Sequence, residues 1–415
     1  MNIKIIPKPL SGTVSSIASK SHAHRLMIAA SLCAVPCQVN ISHMNEDLEA
    51  TRNCLSQLND DEPVLDCNES GSTLRFMLPI SMALKNKATF WGAGRLPERP
   101  LSPLKEEMES HGCTFHTFPS LQTEKSRPIF TVSGRLKGGI FNLAGNISSQ
   151  YITGLLFALP LLEEDSTLNI TSKLESIGYI TLTLEVLKLF GLNIKFTPSE
   201  PFQEDQTCSF FIKGGQQYIS PGEVTAEGDW SNAAFWIAAD VLSRLVNDSS
   251  QQRVSCSNLN SNSSQGDKEI ISFTQTITAA SNQNKKLSFD VSDVPDLVPV
   301  LAVLAASRQG TTEIMNASRL RIKESDRLTT VREIIESLGG DVTELSDGLV
   351  INGTGKLQGG TVNGHNDHRI VMAASIASIL CREPVTILGA QAVNKSYPKF
   401  FDDFTKLGGE YHVLG

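Results

Sequence analysis

No stretch of this chain is apolar for long enough to cross a membrane. The longest apolar run, residues 297–306, contains Pro299. It falls far short of the roughly 20 residues a span needs, and it reads as a buried helix. Positive charge is not in excess either. Against 36 Lys and Arg stand 44 Asp and Glu, a net charge of −8, which argues against nucleic-acid and membrane-surface partners. Any anion site must therefore be a local basic cluster that runs against the global charge. The eight cysteines are scattered. Cys33 and Cys37 alone lie close together, and no second Cys/His pair follows at zinc spacing. Free thiols in a reducing compartment are expected, with no metal. Neither a Gly-x-x-x-x-Gly-Lys-Ser/Thr loop nor a dinucleotide fingerprint is present, so no nucleotide is expected and no cofactor is called for. Residues 3–6 already read as a strand, with no leader pattern before them, and a cytoplasmic location is the expectation.

What the chain does have is an ordinary globular balance, 40% apolar and 19% charged, over 415 residues. That length suggests two domains of about 200 residues. One pattern recurs: a short β-prone run, a polar turn rich in Gly, Ser, Asn or Asp, then a helix of small and apolar residues. Clear copies start at Gly12, Gly139, Gly222 and Gly360, and weaker ones at Cys67 and Phe289. Between them falls a second helix that closes near Leu-Gly, as in residues 323–340 and 395–409. The expected fold is α/β (α+β), built from six βαβαβ-like repeats that divide three and three. One copy, counted as the fifth, looks shortened between Val246 and Lys286, where Ser, Asn and Gln dominate. The boundary is expected near the Gly- and Pro-marked stretch 212–223. The N-terminal strand is expected to pack with the second half, because the last repeat lacks an obvious closing strand.

In each repeat the polar turn precedes a helix, whose N-terminus favours anions. The turns and first helical turns hold Lys20, Arg25, Arg75, Arg99, Lys323, Arg327, Arg369 and Lys395. A lone cation there would be a solvated surface residue; eight in equivalent places point to a site for several negative charges. Ser21, Ser148, Ser149 and Gln150 suit hydroxyl or phosphate oxygens, though Ser-Ser-Gln is equally an N-cap. Gly71 is either an ordinary tight turn or a point of close ligand approach. Asp296 opens an apolar helix as a cap or as a functional acid. Glu324 lies in the charged stretch RIKESDR, on a solvated face or in a site. His365 and His368 flank Asp367, without a third His at hand to make a metal site.

These residues resemble a known family. ASKSHAHR (18–25), ESGSTLR (69–75), PERP (97–100), NISSQ (146–150), EGDWSNAA (227–234), VPDLVPVLAVLAA (294–306), RLRIKESDRL (319–328), HNDHRIVMA (365–373) and NKSYPKFF (394–401) are similar, in family order, to the EPSP synthases. The resemblance implies a two-domain inside-out α/β barrel built from six βαβαββ-type repeats. The implied domains are 1–19 with 227–415, and 20–226. The implied reaction transfers the enolpyruvyl group of phosphoenolpyruvate to the 5-hydroxyl of shikimate 3-phosphate and releases phosphate, on the shikimate pathway to chorismate and the aromatic amino acids. A cytoplasmic monomer is expected, with these two small molecules as its partners.

Residue by residue, the resemblance implies that Lys20, Ser21, Arg25, Ser148, Ser149, Gln150, Ser176, Asp296 and Lys323 contact shikimate 3-phosphate. For phosphoenolpyruvate it implies Lys20, Gly71, Arg99, Gln150, Arg327, Arg369 and Lys395. Asp296, Glu324 and Lys20 are the implied catalytic residues, and Tyr179 matches a ring-facing tyrosine. Glu69 and Arg319 depart from the Asn that some members carry. Two other readings remain. A sister enzyme that uses UDP-N-acetylglucosamine carries a reactive Cys before an Arg-Pro pair; residues 92–103, GAGRLPERPLSP, have none, and Cys113 lies beyond. A non-catalytic binding homologue would have lost an acid or a phosphate-site cation, and none is missing.

Overall fold

The structure is a computed structural model and describes residues 1–119, 126–197, 208–247, 253–280 and 284–414. After β1 (Asn2–Ile6) the chain runs through six repeats. The first holds β2 (Gly12–Ser15), α1 (Lys20–Ser31), β3 (Gln38–Asn40) and α2 (Glu46–Gln57). The second holds β4 (Val64–Asp66), α3 (Gly71–Leu84), β5 (Lys87–Gly92), α4 (Leu104–Ser110), β6 (Thr114–Thr117) and β7 (Arg127–Ser133). The third holds β8 (Gly139–Leu143), α5 (Ser149–Ala158), β9 (Ser166–Ile170), α6 (Ile177–Leu189), β10 (Ile194–Thr197) and β11 (Cys208–Ile212). The fourth holds β12 (Glu223–Thr225), α7 (Trp230–Val246), β13 (Val254–Ser257) and α8 (Ile270–Ala279). The fifth holds β14 (Leu287–Asp290), α9 (Val298–Ala306), β15 (Gln309–Met315), α10 (Arg327–Ser337), β16 (Asp341–Glu344) and β17 (Leu349–Thr354). The sixth holds β18 (Gly360–Asn363), α11 (His368–Ala377), β19 (Val385–Leu388), α12 (Phe400–Lys406) and β20 (Glu410–Leu414).

The complete repeats share one sheet order: β4–β5–β7–β6, β8–β9–β11–β10 and β14–β15–β17–β16. In each, the first pair is parallel and the others antiparallel. The sixth repeat makes three strands of its own. β1 fills the fourth place between β19 and β20, with Ile3 opposite both Ile387 and Val413. Among the described residues the first and fourth repeats have no closing strands, and they exchange partners, so that β2 pairs with β13 and β3 with β12, both parallel. The chain divides accordingly into two compact units, residues 1–19 with 227–415 (the split unit) and residues 20–226 (the insert unit).

The shortened stretch between Val246 and Lys286 belongs to the fourth repeat, not the fifth, which is complete. Residues 248–252 and 281–283 of it lie outside the described residues. It is no defect, because the first repeat has the same two-strand, two-helix form.

Strand and helix burial explain the layering. On β9, Ser166, Leu168 and Ile170 are buried while Thr167 and Asn169 are half-exposed. All nine residues of α9 are buried, and α3 buries all but Ser72 and Leu84. A helix apolar all round belongs inside, and a sheet with one polar face belongs outside. Each unit therefore keeps its helices at the centre and its sheets around them. Pro299 is harmless in α9 because it sits in the first turn, where no intrahelical N–H bond is lost.

Helix ends follow local chemistry. Asn45, Ser70, Ser148, Asp229, Asp326 and Asp367 each accept a hydrogen bond from a backbone N–H of the helix they open. The Leu-Gly closures are left-handed caps. Gly339 (φ 81°) and Gly408 (φ 90°) follow the last helical turns, and the next N–H reaches back to Ile335 and to Phe404.

Candidate active site

Each unit gathers one cluster of the predicted residues at the N-terminal ends of its central helices. In the insert unit, Lys20 opens α1 and its Nζ pairs with Asp47 Oδ2 at 2.7 Å. One helical turn on, Arg25 is buried. Its Nε donates to Thr183 Oγ1 (2.8 Å), Nη1 to the Ser21 carbonyl (2.7 Å), and Nη2 to Thr153 Oγ1 (3.3 Å) and the Tyr179 carbonyl (3.1 Å). Every one of these acceptors is neutral. Burial, slightly offset by Tyr179, pushes the Arg25 pKa down to about 10. The Phe76 and Tyr179 rings flank its guanidinium, with centroids at 5.3 and 6.0 Å.

Arg75, on α3, donates to Gln150 Oε1 (2.9 Å) and to the Pro100 carbonyl (3.2 Å), and Gln150 donates on to Ser72 Oγ (2.9 Å). Gly71 begins the same helix. A Cβ there would lie 2.5 Å from Arg99 Nη1 and 2.6 Å from Arg75 Nη1. Two guanidiniums thus converge on a backbone point that only glycine leaves open. Ser148 caps α5 through Gln150 N, and Ser149 is buried behind it. Ser176 is buried and left-handed (φ 56°) at the start of α6, a conformation that costs energy in a non-glycine residue and often marks a functional turn.

The split unit is built differently. Arg327, the first residue of α10, is buried among three carboxylates. Its Nε and Nη2 bind Asp367 at 2.8 and 3.1 Å, Nη1 binds Asp296 Oδ1 at 2.8 Å, and Nη2 also meets Glu324 Oε2 at 2.7 Å. Burial lowers its pKa, but Asp367, Glu324 and Asp296 outweigh that and hold it above the usual value. Asp296 is no cap. From the 3-10 turn Pro295–Leu297 it also faces Lys323 Nζ at 3.6 Å and Arg369 Nη2 at 3.4 Å. Burial raises its pKa; Arg369, Lys323 and Arg327 overcome this and hold the carboxyl well below the carboxylate range. Burial and the neighbouring arginines conversely lower the Lys323 pKa, despite Asp296 and Glu324. Arg369 donates to the Asp296 carbonyl (3.2 Å) and to Ser231 Oγ (2.7 Å), and Lys395 Nζ donates to the Asn366 carbonyl (2.6 Å).

None of the eight cations is a solvated surface residue; five are buried and Lys20, Arg99 and Lys323 are half-buried. They do not all sit at helix starts. Arg99, Lys323 and Lys395 end short 3-10 turns, where the dipole favours a cation. His365 turns to Glu333 (2.8 Å) and His368 to Asp367 (4.0 Å). Among the described residues no group of His, Cys, Asp or Glu is placed to hold a metal. Sequence reasoning did not single out Asp47, Asp367, Ser231 or Asp267 as working parts. Asp367 had a signal, an acid two residues before Arg369 at a helix start. Asp267, before α8, had none.

The comparisons with known proteins turn this geometry into a family assignment. The family model for EPSP synthase (3-phosphoshikimate 1-carboxyvinyltransferase) matches residues 56–404. The chain belongs to the EPSP synthase family. The 3-phosphoshikimate 1-carboxyvinyltransferase of Clostridium acetobutylicum is 40% identical over 99% of this chain and 98% of the relative. That of Clostridium perfringens is 41% identical over 98% of both. In fold, the chain matches the EPSP synthase of Acinetobacter baumannii with a TM-score of 0.74, 20% identity and coverage of 99% of this chain and all of that one. It also matches the enolpyruvyl transferase NikO from Streptomyces tendae, with a TM-score of 0.74 and 16% identity. The EPSP synthase assignment agrees with the cysteine chemistry. Burial pushes the Cys113 thiol up to about 12, which makes it a poor nucleophile.

Proposed function

We propose that the two clusters divide the work of the 3-phosphoshikimate 1-carboxyvinyltransferase reaction, which the chain carries out as a member of its family. The observation that carries the activity is 40% identity over nearly the full chain to an enzyme of that name. Enolpyruvyl from phosphoenolpyruvate passes to the 5-hydroxyl of shikimate 3-phosphate, a step towards the aromatic amino acids.

The methylene carbon of phosphoenolpyruvate gains a proton while the 5-hydroxyl loses one and bonds to the adjacent carbon. The tetrahedral intermediate then expels phosphate as a methyl proton leaves. Asp296 takes the hydroxyl proton. It is ionised throughout the neutral range, and its grip by Arg369 and Lys323 loosens as anionic substrate draws those cations away, which raises its basicity. Lys20 and Glu324 serve the proton traffic at the methylene and the departing phosphate.

Lys20, Ser21, Arg25, Ser148, Ser149, Gln150, Ser176, Asp296 and Lys323 hold shikimate 3-phosphate. Lys20, Gly71, Arg99, Gln150, Arg327, Arg369 and Lys395 hold phosphoenolpyruvate. Arg25 supports the reading for the insert unit, because a buried cation with neutral acceptors is satisfied only when an anion arrives. The enzyme works as a cytoplasmic monomer; no helix among the described residues is long and apolar enough to span a membrane. The test is phosphate release from phosphoenolpyruvate with shikimate 3-phosphate or with UDP-N-acetylglucosamine as acceptor. Release is expected with the first alone, and release with the UDP sugar, or binding without release, would overturn the assignment.

A further inference from the structure

Asp267 is a fully buried carboxyl that the proposed chemistry leaves unused. It sits in the 3-10 turn Gly266–Glu269, ahead of α8. The Ser231 hydroxyl, on the first turn of α7, donates to Asp267 Oδ2, and the same Ser231 oxygen accepts from Arg369 Nη2 at 2.7 Å. Arg369 in turn holds the backbone and side chain of Asp296. A hydroxyl has one proton to give. While Asp267 is a carboxylate it takes that proton, and an Oγ lone pair is left for the guanidinium. A neutral partner accepts that proton far more weakly than a carboxylate, so the hydroxyl is no longer fixed and its lone pairs are no longer held towards Arg369.

We propose that Asp267 is a positioning residue for the reaction: its carboxylate locks the Ser231 hydroxyl so that Ser231 holds Arg369 in place for phosphoenolpyruvate. This rests on the role given to Arg369 above. The charged groups that face Asp267 are Asp229 at the α7 N-cap, Asp296 from the turn Pro295–Leu297, and Arg369 from α11. Neighbouring Lys268 turns to the Ser263 carbonyl (2.7 Å), and Asp240, further along α7, pairs with Arg244 and Arg253. α8 and α9 carry no titratable side chain.

Burial, then Asp296, push the Asp267 carboxyl up to about 6, with Arg369 and Ser231 opposing. A carboxyl raised in the fold contributes stability that is complete below its unfolded pKa and lost as pH rises through its folded one. Ionised Asp267 therefore destabilises the fold at neutral pH. A residue kept for stability alone would not be an acid at this place.

The experiment compares wild type with Asp267→Asn, Asp267→Glu and Ser231→Ala in kcat, KM for phosphoenolpyruvate, and melting temperature, from about pH 5 to about pH 8. The substrate's own ionisation cancels in the ratio of variant to wild type. Asp267→Asn is expected to raise KM for phosphoenolpyruvate about tenfold near pH 8, the size of one hydrogen bond to a charged group, with kcat little changed. Near pH 5, where wild type is itself protonated, the ratio should approach one. Ser231→Ala should show the same loss near pH 8, and Asp267→Glu should recover part of it. Asp267→Asn should melt no lower than wild type near pH 8. A ratio that does not change with pH, or an Asn variant that melts lower near pH 8, overturns the proposal. Should the Asn variant not fold, normal KM in Ser231→Ala near pH 8 overturns it equally. A wild-type chain without turnover would overturn both this inference and the assigned reaction; turnover with a pH-flat ratio overturns this inference alone.

Discussion

Arg25 and Arg327 are the same residue type, both buried in the first two turns of a central helix, and they are held in opposite ways. Arg327 sits among Asp367, Asp296 and Glu324, and its pKa is raised. Arg25 binds two threonine hydroxyls and two carbonyls, and its pKa is lowered by burial. The first is a charge already neutralised by its own unit, and it ties α10, α11 and the Pro295–Leu297 turn together. The second is a charge held in shape but not neutralised. A buried ion pair is costly to break from one side, whereas an uncompensated buried charge is costly to keep. Arg327 is thus tied into the framework of its own unit, whereas Arg25 is held by neutral groups, and on the function proposed above its charge is left for an anionic substrate.

The largest expected effect breaks the framework. Arg327→Met leaves Asp367 buried without its bidentate partner, and should cost about 3–5 kcal/mol, a large share of ordinary protein stability. A fall in melting temperature or in soluble yield checks it, and unchanged melting would show that Asp367 is satisfied by Ser325 and the α11 N-terminus alone. Next, Asp296→Asn keeps the shape and removes the proposed base. Turnover should fall by about a hundredfold, with shikimate 3-phosphate still bound in a calorimetric titration.

Arg25→Met should show the reverse of Arg327→Met. Its stability should stay within about 1 kcal/mol of wild type or rise, while affinity for shikimate 3-phosphate falls by about tenfold or more. Loss of both stability and binding would mean that Arg25 is framework too.

A fourth prediction separates the units by pH. His24, buried in α1 with Nδ1 on Thr51 Oγ1 at 2.8 Å, is held neutral by burial, then by Lys20 and Arg25. A base whose folded pKa is lowered contributes stability that is full above its ordinary value of about 6.5 and lost as pH falls. Asp267 runs the other way, losing stability as pH rises towards 6. Between about pH 4 and 6.5, acidification should therefore expose the amides of α1 and α2 to hydrogen exchange while those of α7 gain protection. Parallel change in both would remove the distinction. The smallest effect is Gly71→Ala. The ends of Arg99 and Arg75 must give way to the new methyl, and KM for phosphoenolpyruvate should rise by a few-fold to about tenfold, with melting little changed.

The six repeats, the helix starts and stops, and the cations that each unit gathers were legible in the amino-acid sequence. Their signals are local: Ser70 caps Thr73 three residues on, Gly339 closes a helix that ended two residues earlier, and the apolar run in α9 needs nothing outside itself to read as buried. Such signals act within a turn or two of chain, so residue order alone carries them. Tertiary structure decided the rest. Nothing near Phe289 or Gly222 in the chain says that the short repeat is the fourth, because its strand β12 is completed by β3, more than 180 residues away. Asp367 could be seen as a helix cap, but only folding brings Arg327 onto its two oxygens. Asp267, Ser231 and Arg369 come from a 3-10 turn and two separate helices, and the Asp267 pKa is raised because burial removes the water that would otherwise solvate its charge. Composition and spacing set which groups are available; their depth and their partners, which set the chemistry, exist only once the helices have packed.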